Sequence, residues 1–274
     1  SHGQGHHTSW AMIVSQKTGI PMDKIEFRFG DTDDIERGNG TGGSRSLQVG
    51  GTAAQMAAEN VIEIARQKAA DLLEAAPEDV VLDAATGAFH VVGSPRPSKT
   101  WAEIAIASPV ALFAEADFTP EGATFPFGTH VSVVEVDTET GSVAIVRHIA
   151  CDDAGTILNP LIVDGQVHGG VAQGIAQALL EEVRYDDGGN PITSNLADYA
   201  FITAAELPSF ERIPMETPTP RNPLGAKGIG EAGTIGATPA VQNAVIDAVH
   251  HLGVQHIDMP CTANRVWAAL QSVR

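Results

Sequence analysis

The stretch that constrains this chain most is residues 222–239, NPLGAKGIGEAGTIGATP. One carboxylate, Glu231, stands there among Gly225, Gly228, Gly230, Gly233 and Gly236, whose missing side chains let a bulky group approach the backbone closely. Thr238 and Pro239 have the chemistry of an N-cap and a first helical residue, ahead of the apolar period Val241, Ala244, Val245, Ala248. The expectation is an acid in a glycine cradle, before a helix that opens at Pro239. Most loop acids are merely solvated or favour a helix dipole, so this segment alone does not make Glu231 functional.

The 274 residues suffice for one large domain or two smaller ones with real cores. A net charge of −18 opposes binding to a phosphate backbone over a broad surface, so nucleic acid is not expected as a partner. Cys151 and Cys261 are far apart and in no ligand spacing, so neither a disulfide framework nor an iron–sulfur or other metal site is encoded. No apolar run approaches the roughly 20 residues that span a bilayer. A reducing, cytoplasmic setting without a membrane partner is the expectation.

The chain opens abruptly. Ser1 to His6 offer no preceding cap or strand before a helical run over 8–17, closed by Gly19 and Pro21, which is the pattern of a piece whose upstream part lies elsewhere. Alternation of Ile25, Phe27 and Phe29 with charged residues predicts a strand over 24–29. A second glycine loop, residues 38–46, precedes a long helix over 49–76. Gly38, Gly40 and Gly43 satisfy G-x-G-x-x-G, as do Gly228, Gly230 and Gly233. A dinucleotide fold needs a strand running straight into the glycines, and seven residues, 31–37, four of them acidic, intervene here.

Residues 79–82 and 88–92 predict a hairpin, 93–99 a Pro- and Ser-rich connector, and 100–107 a short helix. The segment 119–126 is the candidate boundary, giving a first lobe over 1–118 and a second over 119–274. A strong hairpin follows over 129–137 and 143–149, delivering the chain to Cys151, Asp152 and Asp153. The helix expected over 161–182 carries Gly165, Gly169, Gly170 and Gly174; each costs roughly 1 kcal/mol against alanine, so close helix packing is expected there. His168 on it is expected to be a buried or packing residue, with no second histidine four residues away to complete a metal site. Residues 214–223 form an extended, proline-rich lead, and a last helix over 263–272 is expected to bury Val266, Trp267 and Leu270. The fold class is α+β, with mixed sheets flanked by helices and two lobes with a cofactor cleft between glycine-rich loops.

Three loops, around residues 3–6, 38–46 and 225–236, are glycine-rich and lead into helices. Such junctions present free N–H groups and the positive end of a helix dipole, which suit phosphates and polar rings. Gln4, His6, Ser44, Arg45, Ser46 and Lys227 supply side-chain donors for a large ligand of that kind.

Gly3-Gln4-Gly5-His6, the loop Thr41-Gly42-Gly43-Ser44-Arg45-Ser46, Asn159-Pro160 with Asp164-Gly165-Gln166, and Lys227-Gly228-Ile229-Gly230-Glu231 occur in this order in the xanthine dehydrogenase family. The chain resembles the C-terminal half of that family's molybdenum-binding large subunit, nearest the branch similar to aerobic carbon monoxide dehydrogenase. The resemblance implies a molybdenum hydroxylase with a molybdopterin cofactor, in its cytosine dinucleotide form. Carried onto this sequence, it implies that Gln4, Gly5 and His6 form one contact segment, Gly42, Gly43, Ser44, Arg45 and Ser46 another, and Lys227, Gly228 and Gly230 a third. Gly155 to Asn159 would approach the nucleotide end. Glu231 matches the acid that stands beside the metal and takes a proton as oxygen passes to substrate, a general-base role.

The same resemblance implies what lies outside the chain. The N-terminal half of the molybdenum subunit carries further cofactor loops, and iron–sulfur and FAD groups sit on partner subunits or domains. A small-molecule substrate (carbon monoxide, an aldehyde or an N-heterocycle) and a dimer of heteromers are implied as well. The cysteine that holds copper in true carbon monoxide dehydrogenases belongs to the other half. Two further classes stay open on the residues: a non-catalytic molybdopterin- or nucleotide-binding module, for which an acid at Glu231 is unnecessary, and an ordinary nucleotide-dependent dehydrogenase built on a G-x-G-x-x-G match. A hydrolase using Cys151, a histidine and Asp152 lacks any nucleophile signature in the local sequence.

Overall fold

A computed structural model describes residues 1–35, 37–38 and 40–273; Glu36 of the acidic run and Asn39 of the second glycine loop lie outside the described residues. The chain divides into two compact units, one made of residues 1–123 and 220–226, the other of 124–219 and 227–274. Its architecture is α+β, as the pattern of elements predicted.

The first unit begins with α1 (His6–Thr18), which ends where Gly19 adopts φ 70° and returns its N–H to the Ser15 carbonyl. Only a residue without a Cβ turns this way at low cost. A π-helical turn (Leu47–Gly51) then feeds α2 (Thr52–Leu73). Strands β1 (Val80–Asp83), β2 (Ala88–Val91) and β3 (Ser94–Thr100) form an antiparallel sheet in that order. α3 (Trp101–Ala107) starts from a reciprocal cap between Thr100 and Glu103. Ala65, Ala69 and Ala70 of α2 close over Val80, Phe89 and Ile104, which makes this unit's core.

Two expectations fail in this unit. Residues 25–29 form no strand, because alternation makes a segment half-apolar without supplying a ladder partner. Their apolar side chains turn to aromatic contacts instead, Phe27 stacking on Phe29 at 5.3 Å and both meeting His7. The expected connector over 93–99 is β3. Its prolines are tolerated because β3 pairs with β2 alone and leaves its other edge outside the ladder.

In the second unit, β4 (Phe127–Val136) and β5 (Val143–Asp153) form the predicted hairpin, and β6 (Glu211–Met215) adds in parallel to β5. β6, which the sequence did not announce, runs into the proline-rich lead and shares only its last two residues, Pro214 and Met215, with it. α4 (Pro160–Leu179), α5 (Ala232–His250) and α6 (Ala263–Ser272) complete the unit. Val167, Val171 and Ile175 of α4 meet Val241, Val245 and Val249 of α5 and Val266 and Leu270 of α6 in one buried cluster. The glycine reasoning holds for half of α4. A Cβ on Gly174 would stand 2.8 Å from the Ala237 Cβ, and one on Gly170 3.1 Å from Gly233 Cα, whereas Gly165 and Gly169 face open space.

Three local expectations are corrected here. α5 opens at Ala232 rather than Pro239, which lies inside the helix. The proline withholds one donor, from the carbonyl of Ile235, and that residue is exposed, so the loss is tolerated. Trp267 is half exposed at 46%, while Val266 and Leu270 are buried as expected; position 267 falls outside the stripe facing the core. His168 is exposed, its ring 5.9 Å from Phe210. Among the described residues, no helix is long and apolar enough to cross a membrane.

Candidate functional site

In the first unit, Gly5 takes φ 75° as N-cap of α1 and no side chain caps that helix start. His6 opens the helix half-buried, its ring 4.6 Å from Trp10; burial pushes its imidazole below the ordinary value. Gln4 accepts hydrogen bonds from Ser1 Oγ and the His2 N–H. Trp10 also lies against Gly50, where a Cβ would come within 3.1 Å of its ring, so α1 and the turn after the second glycine loop are packed together. In that loop Gly43 and Ser44 have consecutive positive φ values of 60° and 55°. A Cβ at Gly42 or Gly43 would meet nothing within 4 Å among the described residues. Glycine there serves the turn and leaves the loop backbone open, with Arg45 exposed beside it and Ser46 Oγ bonded to Thr41 Oγ1 at 3.0 Å.

In the second unit the geometry converges on the end of β5. Successive strand residues point to opposite faces, so Asp152 and Asp153 look in opposite directions. Asp153 Oδ1 accepts from Lys227 Nζ and from the Gly155 N–H, each at 2.9 Å, and the Lys227 backbone N–H donates to the Ala154 carbonyl at 2.8 Å. The Lys227 ammonium also lies 4.7 Å from the centre of the Phe127 ring. Burial alone would raise the Asp153 carboxyl; hydrogen bonds from Thr217, Lys227 and Gly155, together with the Lys227 charge, outweigh it and hold the group below the carboxylate range. Gly155, with φ 63°, makes the turn that brings its N–H back to this acid.

On the other face, His130 Nε2 lies 3.1 Å from both Asp152 oxygens. His148 Nε2 is 3.3 Å from His130 Nδ1, and His148 Nδ1 is 2.7 Å from Ser132 Oγ. Sequence reasoning missed this chain of four. The signal available was period-two spacing of Ser132 and His130 on one strand and of His148 and Asp152, two steps apart, on the next.

Glu231 is exposed at the N-cap position of α5, and its side chain does not cap the helix. Gly228 is buried and Gly230 exposed in the segment that leads to it. Asn159 accepts from the Ile162 N–H at 3.2 Å as N-cap of α4, and Asp164 on that helix pairs with Arg212 of β6. The structure therefore gathers Gly155 and Lys227 on Asp153, and gives Asn159 a capping duty.

Helix starts without side-chain caps at α1 and α5 and the open glycine turn at Gly42 and Gly43 are features that suit a bound cofactor. The molybdopterin cofactor-binding domain family matches residues 1–208, and the chain belongs to it, within the xanthine dehydrogenase family. It is 40% identical to the carbon monoxide dehydrogenase large chain of Hydrogenophaga pseudoflava, over 99% of this chain and 34% of that one. Reconstituted CO dehydrogenase from Oligotropha carboxidovorans superposes with a TM-score of 0.90 at 38% identity, covering 100% of this chain and 35% of the other. Quinoline 2-oxidoreductase from Pseudomonas putida 86 does so with a TM-score of 0.88 at 38% identity, over 99% and 36%. The chain spans about a third of the length of these relatives and corresponds to a C-terminal part of them.

Proposed function

We propose that this chain is part of a molybdenum hydroxylase, an oxidoreductase that inserts water-derived oxygen into a small substrate and hands the electrons to iron–sulfur and FAD centres on partner subunits. The observation that carries the reading is Glu231, an exposed carboxylate at the N-cap position of a long helix, in a glycine-rich segment of a chain whose family binds molybdopterin. The residues present fit the cofactor. Gly42 and Gly43 leave room where side chains would stand, and the first turn of α1 offers N–H groups that no side chain caps, a favourable setting for phosphate oxygens. Gln4, Gly5, His6, Gly42, Gly43, Ser44, Arg45 and Ser46 would hold it, with Gly228 and Gly230 giving backbone access near Glu231 and Gly155 and Asn159 nearest the nucleotide. Lys227 contributes by anchoring its loop to Asp153.

The cofactor, when bound, supplies the oxygen-transfer and two-electron chemistry. The protein's own part is a proton acceptor, the Glu231 carboxylate, which is exposed beside Gly230. Carbon monoxide, aldehydes and N-heterocycles are the substrate classes, and the remainder of the large subunit completes the site.

Molybdenum analysis of the complex isolated through a tag on this chain, followed by turnover with one member of each substrate class, tests the reading. Glu231→Gln should reduce turnover to a small residual rate at unchanged molybdenum and pterin content. A variant that turns over near the parent's rate, or one that loses cofactor in step with activity, overturns the assignment of Glu231.

A further inference from the structure

The segment that carries Glu231 is held from two sides. Before it, Lys227 meets Asp153 and the Phe127 ring on one face of the β4–β5 hairpin. After it, Gly236 of α5 lies on His130, on the other face. A Cβ on Gly236 would stand 2.6 Å from the imidazole Cδ2 and Cγ, so the ring occupies the notch that this glycine leaves. Residues 227–236 therefore touch both faces of the hairpin, and Glu231 stands between the two contacts in sequence.

His130 is itself fixed. The β4–β5 register sets Gly128 opposite Asp152, His130 opposite Ala150 and Ser132 opposite His148, so all six lie on one face. A Cβ on Gly128 would collide with Asp152 Oδ1, so the carboxylate beside His130 occupies space that this glycine leaves free. The side chains of His130 and Asp152 are 2% and 4% exposed, and His148 is wholly buried. One order of donors gives every ring nitrogen of the two imidazoles a partner. Ser132 Oγ–H donates to His148 Nδ1, His148 Nε2–H to His130 Nδ1, and His130 Nε2–H to Asp152. Burial first, then the neighbouring His130, lowers His148 to about 4, against a smaller opposing pull from Asp152, so its neutral form fits this order.

We propose that His130 is a positioning residue for Glu231: oriented by Asp152, its imidazole seats the first turns of α5 and thereby fixes the place of the carboxylate. The inference rests on the proposed role of Glu231 as proton acceptor. A seat of this kind matters because a displacement of about 1 Å at a reacting group can cost on the order of 100-fold in rate.

The test uses the molybdenum-loaded complex. His130→Leu keeps bulk but gives Asp152 no donor, and His130→Gln restores an N–H donor. Leucine should lower kcat at least about 10-fold with KM within about 2-fold and molybdenum content unchanged, and glutamine should recover most of kcat. Added to Glu231→Gln, His130→Leu should slow the residual rate no further, since it acts through the acid. Independently of activity, hydrogen exchange of the 232–237 amides should quicken in His130→Leu while that of α6 stays as in the parent. Unchanged kcat and exchange in His130→Leu, or an additive loss in the double variant, overturns the positioning role. Glu231→Gln that turns over near the parent's rate overturns the proton-acceptor reading instead, and the exchange measurement then decides the seat on its own. If His130→Leu does not assemble, Asp152→Ala, which removes the acceptor that orients the imidazole, must show the same loss and the same coupling to Glu231→Gln, and wild-type kcat and exchange in it remove the proposal.

Discussion

The Lys227 ammonium lies 2.9 Å from Asp153 Oδ1, with the two side chains 8% and 0% exposed. Asp153 closes β5 and Lys227 opens the segment that leads to Glu231, so one buried ion pair ties a strand end to the start of that loop. Breaking such a pair from one side leaves a charge buried without compensation, which is worse than lacking both partners.

Lys227→Met should therefore destabilise the protein by about 3–5 kcal/mol, and the double variant Lys227→Met/Asp153→Leu by distinctly less. Denaturant unfolding of the two single variants and the double one measures the coupling directly. Additive losses would mean that the pair is held apart in solution.

Asp153 also sets an acid limit. Its folded-state carboxyl is held below the unfolded value of about 3.9, so the unfolded chain takes up the proton first as pH falls. The stabilisation is present above that value and is lost as pH drops through the lower, folded one. Unfolding midpoints measured downward from pH 5 should show a steep decline that Asp153→Asn flattens, from a lower plateau.

His148 gives a pH dependence in a different window. Its folded value of about 4 lies below the unfolded value of about 6.5, because burial and the adjacent His130 disfavour the cation. Between these values the unfolded chain binds more protons, so stability falls as pH drops from 6.5 toward 4, by roughly 3–4 kcal/mol in the limit. His148→Phe should remove that slope. A slope of equal size in the variant would assign it to another group.

What the sequence discloses depends on whether the governing interaction is local. The hairpin of β4 and β5, the short helix after Thr100 and the last helix over Ala263–Ser272 were legible because caps, turns and periodicity lie within their own residues. β3, β6 and the unpaired segment 25–29 were not, because a strand is decided by its neighbour in space. The start of α5 was misplaced because Thr238 imitates a cap: its hydroxyl instead donates back to the Thr234 carbonyl at 3.0 Å, inside the helix. Glu231 was visible as a lone acid among glycines. The Asp152–His130–His148–Ser132 chain needed the β4–β5 register to bring it together.

The glycines of α4 separate two effects that the sequence leaves merged. Replacing a helical glycine by alanine gains roughly 1 kcal/mol of helix propensity wherever the methyl group has room. Gly169 has that room, with nothing within 4 Å of the new atom among the described residues, so Gly169→Ala should stabilise this chain by a few tenths to about 1 kcal/mol. At Gly174 the same methyl would face the Ala237 Cβ at 2.8 Å, the Thr234 carbonyl at 3.0 Å and the Thr238 nitrogen at 3.1 Å. Two of these are backbone atoms of α5 and cannot swing aside, so the helices must separate, at a cost of about 1–3 kcal/mol that exceeds the propensity gain. Thermal unfolding of the two variants should therefore move in opposite directions. Gly174→Ala melting at or above the parent would mean that α4 and α5 are not in backbone contact, and the account of how α5 is held would fall with it.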